Sequence, residues 1–324
     1  MKIVIFNYEK RRVLTVNMRN EDMMIVSIGE ILFDQFPDYR RIGGAPFNVA
    51  AHLSSFGLKT DFITRVGKDE DGEKLRSVIE SYGLNPKLIQ EDVVYPTGRV
   101  DVTLDPKGNA RFQIIRPVAY DFLEVTPDAL DRVSRADLIY VGTLIQRSAR
   151  GFDTVHTLLK HRKPSALVLC DINLRPGCYT EKSIRETLKK TDILKLNREE
   201  LQTISRILSG PENEEDSLSW LLDAFGFRMI SVTADADGSR LITPDRTYSI
   251  KPESSLHIRD TVGAGDAYAA VLAAGILLKW EPEKILESAT DFAGKVCTLK
   301  GALPGEPEFY QSIKKNISGD IKNA

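Results

Sequence analysis

Cysteine is scarce in this chain of 324 residues: Cys170, Cys178 and Cys297 are the only three, and no two form a C-x-x-C pair. That excludes a disulfide framework and a thiolate zinc site, and four scattered histidines offer no His-rich metal site either. Neither sign of charge dominates, with 44 basic residues against 46 acidic ones and a net charge of −2. Nothing in that balance points to nucleic acid or to a polyanionic partner. No stretch reaches the ~18 consecutive apolar residues of a membrane span. The longest apolar run, Ala267 to Leu278, contains Tyr268 and reads as a buried core helix. A P-loop is missing as well, since Gly67-Lys68 is followed by Asp69. There is no internal repeat. These absences lead us to expect a soluble, cytoplasmic protein with buried, reduced thiols and no nucleic-acid or membrane partner.

What is present is enough apolar material, 42% of residues, for a sizeable core. Strand-like runs recur at Ile25–Ile28, Phe62–Val66, Leu138–Val141, Leu167–Cys170, Ile193–Leu196 and Met229–Thr233, each followed by a segment of helix length. Several lack polar alternation, as strands buried on both faces do. The pattern predicts an α/β fold, a doubly wound, mostly parallel sheet sandwiched by helices. Ligands in such sheets bind beyond the carboxyl ends of the strands. One region breaks the rhythm. Arg99–Leu104 and Ala110–Ile115 flank Asp105-Pro-Lys-Gly-Asn109, which has the turn chemistry of a projecting hairpin. Residues 1–22 carry Lys2, Lys10, Arg11, Arg12 and Arg19 without the apolar core of a secretory signal. They are expected to be an N-terminal extension or a misassigned start, the alternative being an edge strand over Lys2–Phe6. Residues 23–311 form the expected domain, and the polar segment 312–324 is expected to be a frayed tail.

The run Asp260-Thr-Val-Gly-Ala-Gly-Asp266 opens the alanine-rich helix. Gly263, Ala264 and Gly265 at a helix start let backbone N–H groups approach an anion, commonly phosphate. A carboxylate beside an anion site is electrostatically awkward unless it takes a proton from an attacking hydroxyl. The plainer alternative is that the glycines only turn the chain and Asp266 caps the helix. Earlier, Gly29-Glu-Ile-Leu-Phe-Asp34 puts a carboxylate after the first buried strand, where its oxygens could accept from the hydroxyls of a ligand. Arg41-Ile-Gly43-Gly44-Ala-Pro-Phe-Asn48 follows, with Pro46 suited to a first helical turn and Gly57 to a helix end. Val49, Leu53 and Phe56 make an apolar face, on which His52 reads as a partly covered helix histidine. After the strand ending at Cys170 comes Asp171-Ile-Asn173-Leu-Arg175, whose guanidinium could pair with phosphate or a sugar oxygen, or cap a loop carbonyl.

The glycine-turn run resembles the C-terminal signature of the ribokinase-like (PfkB) carbohydrate kinases, and the Asp34 to Asn48 segment resembles their N-terminal one. The likeness spans about Met23 to Tyr310. It implies an ATP-dependent sugar kinase acting on a primary hydroxyl, with Asp266 as the base and Gly263-Ala264-Gly265 as the anion hole for the γ-phosphate. Asp34, Gly43, Gly44 and Asn48 would hold the sugar, together with Arg175. A β-sheet lid formed by about 36–43 and 97–116 would cover it and exclude water. Asn197 and Glu200 match the family's N-x-x-E motif, which organises Mg²⁺ and phosphate through water. Thr233 and Gly238 match its nucleotide loop, where Asp235 replaces a glycine. The segment Ala293–Pro304 would close the nucleotide pocket and, with Asp260, could bind a monovalent cation such as K⁺. The Gly29–Asp34 run, Asn173-Leu-Arg175 and Gly142-Thr-Leu-Ile-Gln-Arg147 resemble fructokinase-type members. Fructose is therefore the expected acceptor, with ribose, another ketose or 2-keto-3-deoxygluconate as alternatives. A homodimer through the lid is a further expectation. From a different class, the chain could be a non-catalytic relative that binds nucleotide or a partner.

Overall fold

A computed structural model describes residues 2–7, 12–17, 23–104, 110–252 and 257–323. In chain order its strands are β1 (Lys2–Asn7), β2 (Arg12–Asn17), β3 (Met24–Ile28), β4 (Leu32–Gln35), β5 (Arg40–Gly43), β6 (Lys59–Gly67), β7 (Ile89–Asp92) and β8 (Gly98–Leu104). They continue as β9 (Ala110–Ile114), β10 (Leu138–Gly142), β11 (Leu167–Asp171), β12 (Ile193–Asn197), β13 (Met229–Thr233), β14 (Ser239–Ile242) and β15 (Thr247–Ile250). The helices are α1 (Ala45–Ser55), α2 (Glu70–Ser81), α3 (Pro127–Arg135), α4 (Ala149–Lys160) and α5 (Glu181–Leu188). After them come α6 (Arg198–Leu208), α7 (Glu214–Phe225), α8 (Ala264–Leu277), α9 (Pro282–Val296) and α10 (Gln311–Asn323).

Nine strands form one sheet in the order β15-β14-β13-β12-β11-β10-β3-β6-β7. From β13 through to β7 all neighbours run parallel, and only β14 and β15 are antiparallel. Side chains alternate between the faces of a strand, and the two cores show it. Val26, Ile28, Ile139, Val141, Val168 and Cys170 join one cluster with residues of α3 to α7. Ile25, Leu138, Tyr140 and Leu169 join the other, with α1, α8 and α9. β3 and β10 are buried at every position, which is why their sequences run apolar without a break. The fold is thus a doubly wound sandwich. The strand order reverses between β3 and β10, the point beyond whose carboxyl ends a doubly wound sheet forms its ligand crevice.

A second sheet, β5-β4-β8-β9, stands at this end of the molecule. The hairpin expected at 99–115 is its β8–β9 pair, while the turn at 105–109 lies outside the described residues. The sheet begins earlier than residue 36, because Leu32–Gln35 is itself a strand and pairs with both β5 and β8. β1 and β2 pair with each other in a sheet of their own, not at an edge of the large one.

Two expectations need correction. Residues 311–323 form a helix, not a frayed tail, and it inserts Ile313 and Ile317 into the core beside Phe292 and Tyr310. His52 is not partly covered but fully buried, and its Nδ1 lies 3.2 Å from the Tyr310 hydroxyl. Burial there drives the imidazole pKa down to about 3, so the ring is neutral.

Candidate active site

The base candidate sits where two chain segments 218 residues apart meet. Gly263 takes the N-cap position of α8 at φ 82°, and a Cβ there would come within 2.3 Å of the Ala302 Cβ. Only glycine fits both constraints. Asp266 follows in the first turn, and its Oδ2 accepts a hydrogen bond of 2.7 Å from Asn48 Nδ2 on α1. The helix-cap alternative for Asp266 therefore fails: Gly263 holds the cap, and the carboxylate is aimed across the crevice. Burial pushes the Asp266 pKa up to about 6 against the Asn48 hydrogen bond, which lowers it, with Asp171 adding repulsion. A carboxylate so placed is a proton acceptor near neutrality.

Asp34 lies on β4, opposite Arg41 of β5. Its carboxylate fills the space a side chain at Gly43 would need, since a Cβ there would sit 2.6 Å from Asp34 Oδ2. Gly44, at φ 110°, allows the chain to pass the Glu30 carbonyl, which a Cβ would approach to 2.5 Å. Both glycines thus have a steric reason of their own. Asn48 is buried, and its Oδ1 has no partner among the described residues. Burial raises the Asp34 pKa while Arg175 and Arg41 lower it. Arg175 also acts on Glu30 and Asp266, so it belongs to this end of the crevice, although its side chain is exposed.

At the other end, Asn197 and Thr233 are register partners at the ends of β12 and β13. Asn197 and Glu200 form a capping box on α6: Asn197 Oδ1 accepts from the Glu200 N–H and Glu200 Oε2 from the Asn197 N–H, both at 2.8 Å. Glu200 Oε1 accepts from the Leu174 N–H at 2.9 Å. Both oxygens are engaged by backbone yet keep a second acceptor direction each. Gly238, at φ 97°, leaves no room for a Cβ beside the Ile250 carbonyl. Asp235 is exposed and adopts φ 43°, which explains why a glycine suits that position in the motif. Asp260 pairs with Arg41 at 2.6 Å and accepts from the Val262 and Gly301 N–H groups, which together hold its pKa below the usual range despite burial. Among the described residues, no group of three or more His, Cys, Asp or Glu is arranged to hold a metal ion.

A family model for the pfkB family carbohydrate kinases matches residues 35–308. The chain belongs to that family. It is 30% identical over 317 residues to a fructokinase-2 of Oryza sativa subsp. japonica, covering 89% of this chain and 92% of that one. It also superposes on an uncharacterized sugar kinase of Pyrococcus horikoshii in complex with ATP, with TM-score 0.76 and 26% identity over 89% of this chain and 99% of the other. A fructokinase of Vibrio cholerae O395, in a form bound to fructose, ADP and calcium ion, shares the fold with TM-score 0.76 at 22% identity, covering 90% and 99%. The protein is a carbohydrate kinase with the ribokinase-like architecture.

The PfkB crevice also contains residues that motif reading passed over. Lys195, buried within β12, donates at 2.8 Å to Asp171 Oδ2, which the Tyr140 hydroxyl also reaches at 3.2 Å. Burial alone would lower the lysine pKa, but Asp171, Glu200 and Asp266 raise it, so the ammonium stays charged. It lies 3.5 Å from where a Gly265 Cβ would be, beneath the glycine turn. The signal was present in the sequence: a lysine inside Ile-Leu-Lys-Leu must have a buried acid partner. Glu30 is the second such residue, 3% exposed and two residues after the end of β3. Among the described residues, no helix is long and apolar enough to cross a membrane.

Proposed function

We propose that this carbohydrate kinase transfers the γ-phosphoryl group of ATP to a primary hydroxyl of a sugar, with fructose as the first substrate to test. The observation that carries the reading is the Asn48–Asp266 contact at 2.7 Å across the crevice, with the Gly263 turn directly behind the carboxylate. Asp34, Asn48, Gly43, Gly44 and Arg175 orient the sugar. Asp266 takes the proton of the attacking hydroxyl as the new O–P bond forms, and the bond to the β-phosphate oxygen breaks to release ADP. The first-turn N–H groups of Gly265 and Asp266, which have no partner within the helix, face the charge that develops on the transferred group, while the Ala264 N–H donates to the Thr261 carbonyl at 3.3 Å and steadies the turn. Lys195 beneath Gly265 adds a fixed positive charge on that side. The lid excludes water, which would otherwise compete as the acceptor.

Thr233, Gly238 and the loop after Cys297 form the nucleotide side. Mg²⁺ would supply charge neutralisation of the phosphates when bound, and Glu200 with Asn197 would hold it through water, since among the described residues no group of three or more His, Cys, Asp or Glu offers direct ligation. A K⁺ ion at Asp260 would share that carboxylate with Arg41. Support for fructose comes from the rice relative's name and from the fructose and ADP bound by the Vibrio cholerae neighbour. The three free, buried thiols fit a reducing, cytoplasmic setting. The test is ADP release with ATP and Mg²⁺ on a panel of fructose, ribose, other ketoses and 2-keto-3-deoxygluconate. Fructose should give the highest kcat/KM. Nucleotide binding without turnover of any sugar would instead support a non-catalytic role.

A further inference from the structure

Three buried polar atoms near the sugar end of the crevice have no hydrogen-bond partner among the described residues: Glu30 Oε2, the Tyr120 hydroxyl and Arg147 Nη1. Buried polar atoms are nearly always satisfied, so three unsatisfied ones close enough to influence one another call for a polar guest. Arg147 is held rigidly. Its Nε and Nη2 donate to Asp121 at 2.6 and 2.8 Å, Nη2 also reaches the Ile115 carbonyl at 2.8 Å, and the guanidinium carbon lies 4.8 Å from the Tyr120 ring centre. Tyr120 is fixed in turn against Gly98, where a Cβ would come within 2.7 Å of the ring. Glu30 sits where the chain leaves β3 for lid strand β4, with its carbonyl against Gly44. Its carboxyl interacts electrostatically with Arg175, Asp266 and Arg147, and with Tyr120.

Charge at this end is already settled. Arg147 is neutralised by Asp121, Arg41 by Asp260 and Lys195 by Asp171, which leaves Arg175 against the carboxyl groups of Glu30, Asp34 and Asp266. A sugar acid would bring a further carboxylate into that field. We infer that Glu30, backed by Tyr120 and Arg147, forms a subsite that binds a hydroxyl of a neutral sugar and discriminates against sugar acids. The inference rests on the sugar-kinase reading above and narrows its substrate class. Burial brings the Glu30 carboxyl to about 7, so near neutrality it can either donate to or accept from a hydroxyl. Glu30 acts as a positioning and specificity residue, while Asp266 remains the base.

The test measures kcat and KM by ADP release for D-fructose and D-ribose as neutral probes and 2-keto-3-deoxygluconate as the acidic probe. Wild type, Glu30→Gln and Tyr120→Phe are compared, with melting temperature as the folding control. Wild type should favour the better neutral sugar over the acid by at least about tenfold. Glu30→Gln should raise the neutral-sugar KM about tenfold, keep kcat within about threefold, and narrow the gap to the acid. Tyr120→Phe removes one hydroxyl from a packed ring and should raise the same KM about threefold, which carries the test if the Glu30 variant does not fold. A purely structural Glu30 would lower the melting temperature and leave both the KM and the neutral-to-acid ratio unchanged; that result in the folded variants overturns the subsite. Wild-type preference for the acid overturns it too, with the kinase reading intact. No turnover of any sugar removes the kinase reading first, and the subsite with it.

Discussion

In the proposed mechanism Asp266 is the residue on which the chemistry turns, and its environment makes two predictions at once. Its pKa is raised from 3.8 to about 6, chiefly by burial. The base must be ionised to accept a proton, so kcat/KM should fall about tenfold per pH unit below about 6 and level off above it. A pH–rate profile flat down to pH 4.5 would exclude Asp266 as the titrating group. The same shift bears on stability with the opposite sense. A folded-state pKa above the unfolded one means the native chain holds its proton longer, so stability falls as pH rises from about 4 through 6. At pH 7 that loss is complete, and Asp266→Asn should recover roughly 1–3 kcal/mol in urea unfolding. A site residue that weakens its own fold is held for function, and a melting curve compared with activity can show it.

At the scale of elements, the glycine turn and the nucleotide loop solve the same backbone problem differently. Gly263 occupies the left-handed region at φ 82° with no space for a side chain, whereas Asp235 occupies it at φ 43° with its side chain exposed. A non-glycine residue in that conformation costs about 1 kcal/mol. Asp235→Gly should therefore raise stability by up to about 1 kcal/mol and, on the proposed reading, lower the KM for ATP, because it removes a carboxylate from the nucleotide loop; kinetics at saturating sugar would read this. A higher KM would mean that the carboxylate itself contacts nucleotide. The lid is tied to the glycine-turn segment by Arg41–Asp260, with Tyr39 stacked on Phe36 and Lys300 over the Tyr39 ring. That clasp was invisible in sequence, where Asp260 was read as a cation ligand and Arg41 had no partner. Six of the seven parallel strands were legible because burial on both faces leaves unbroken apolar runs. The shorter β7, β14 and β15 were not, since Gln90, Glu91, Arg240 and Ser249 interrupt any such run.

For the whole molecule, legibility followed distance along the chain. Asp34, Gly43, Gly44 and Asn48 fall in one short segment and could be read together. The Asn48–Asp266 contact spans 218 residues and the His52–Tyr310 contact 258. Only folding brings those partners together, which is also why α10 was taken for a tail: Ile313 and Ile317 are sparse apolar positions in a polar segment until Phe292 and Tyr310 lie against them. The lid ends on two edge strands, β5 and β9, and Phe112 on β9 is 62% exposed. If two copies join through the lid, size-exclusion with light scattering should give twice the mass of one chain, and Phe112→Asp should return it to one. A monomeric wild type would leave the lid as a cover and nothing more. The central claim is that Asp266 removes the proton from a sugar hydroxyl held by Asp34 and Asn48. Steady-state ADP release with saturating ATP and fructose, wild type against Asp266→Asn, tests it most directly. The account predicts a fall in kcat of about 10²–10⁴-fold with fructose binding nearly intact. Turnover at the wild-type rate in the folded variant would contradict it.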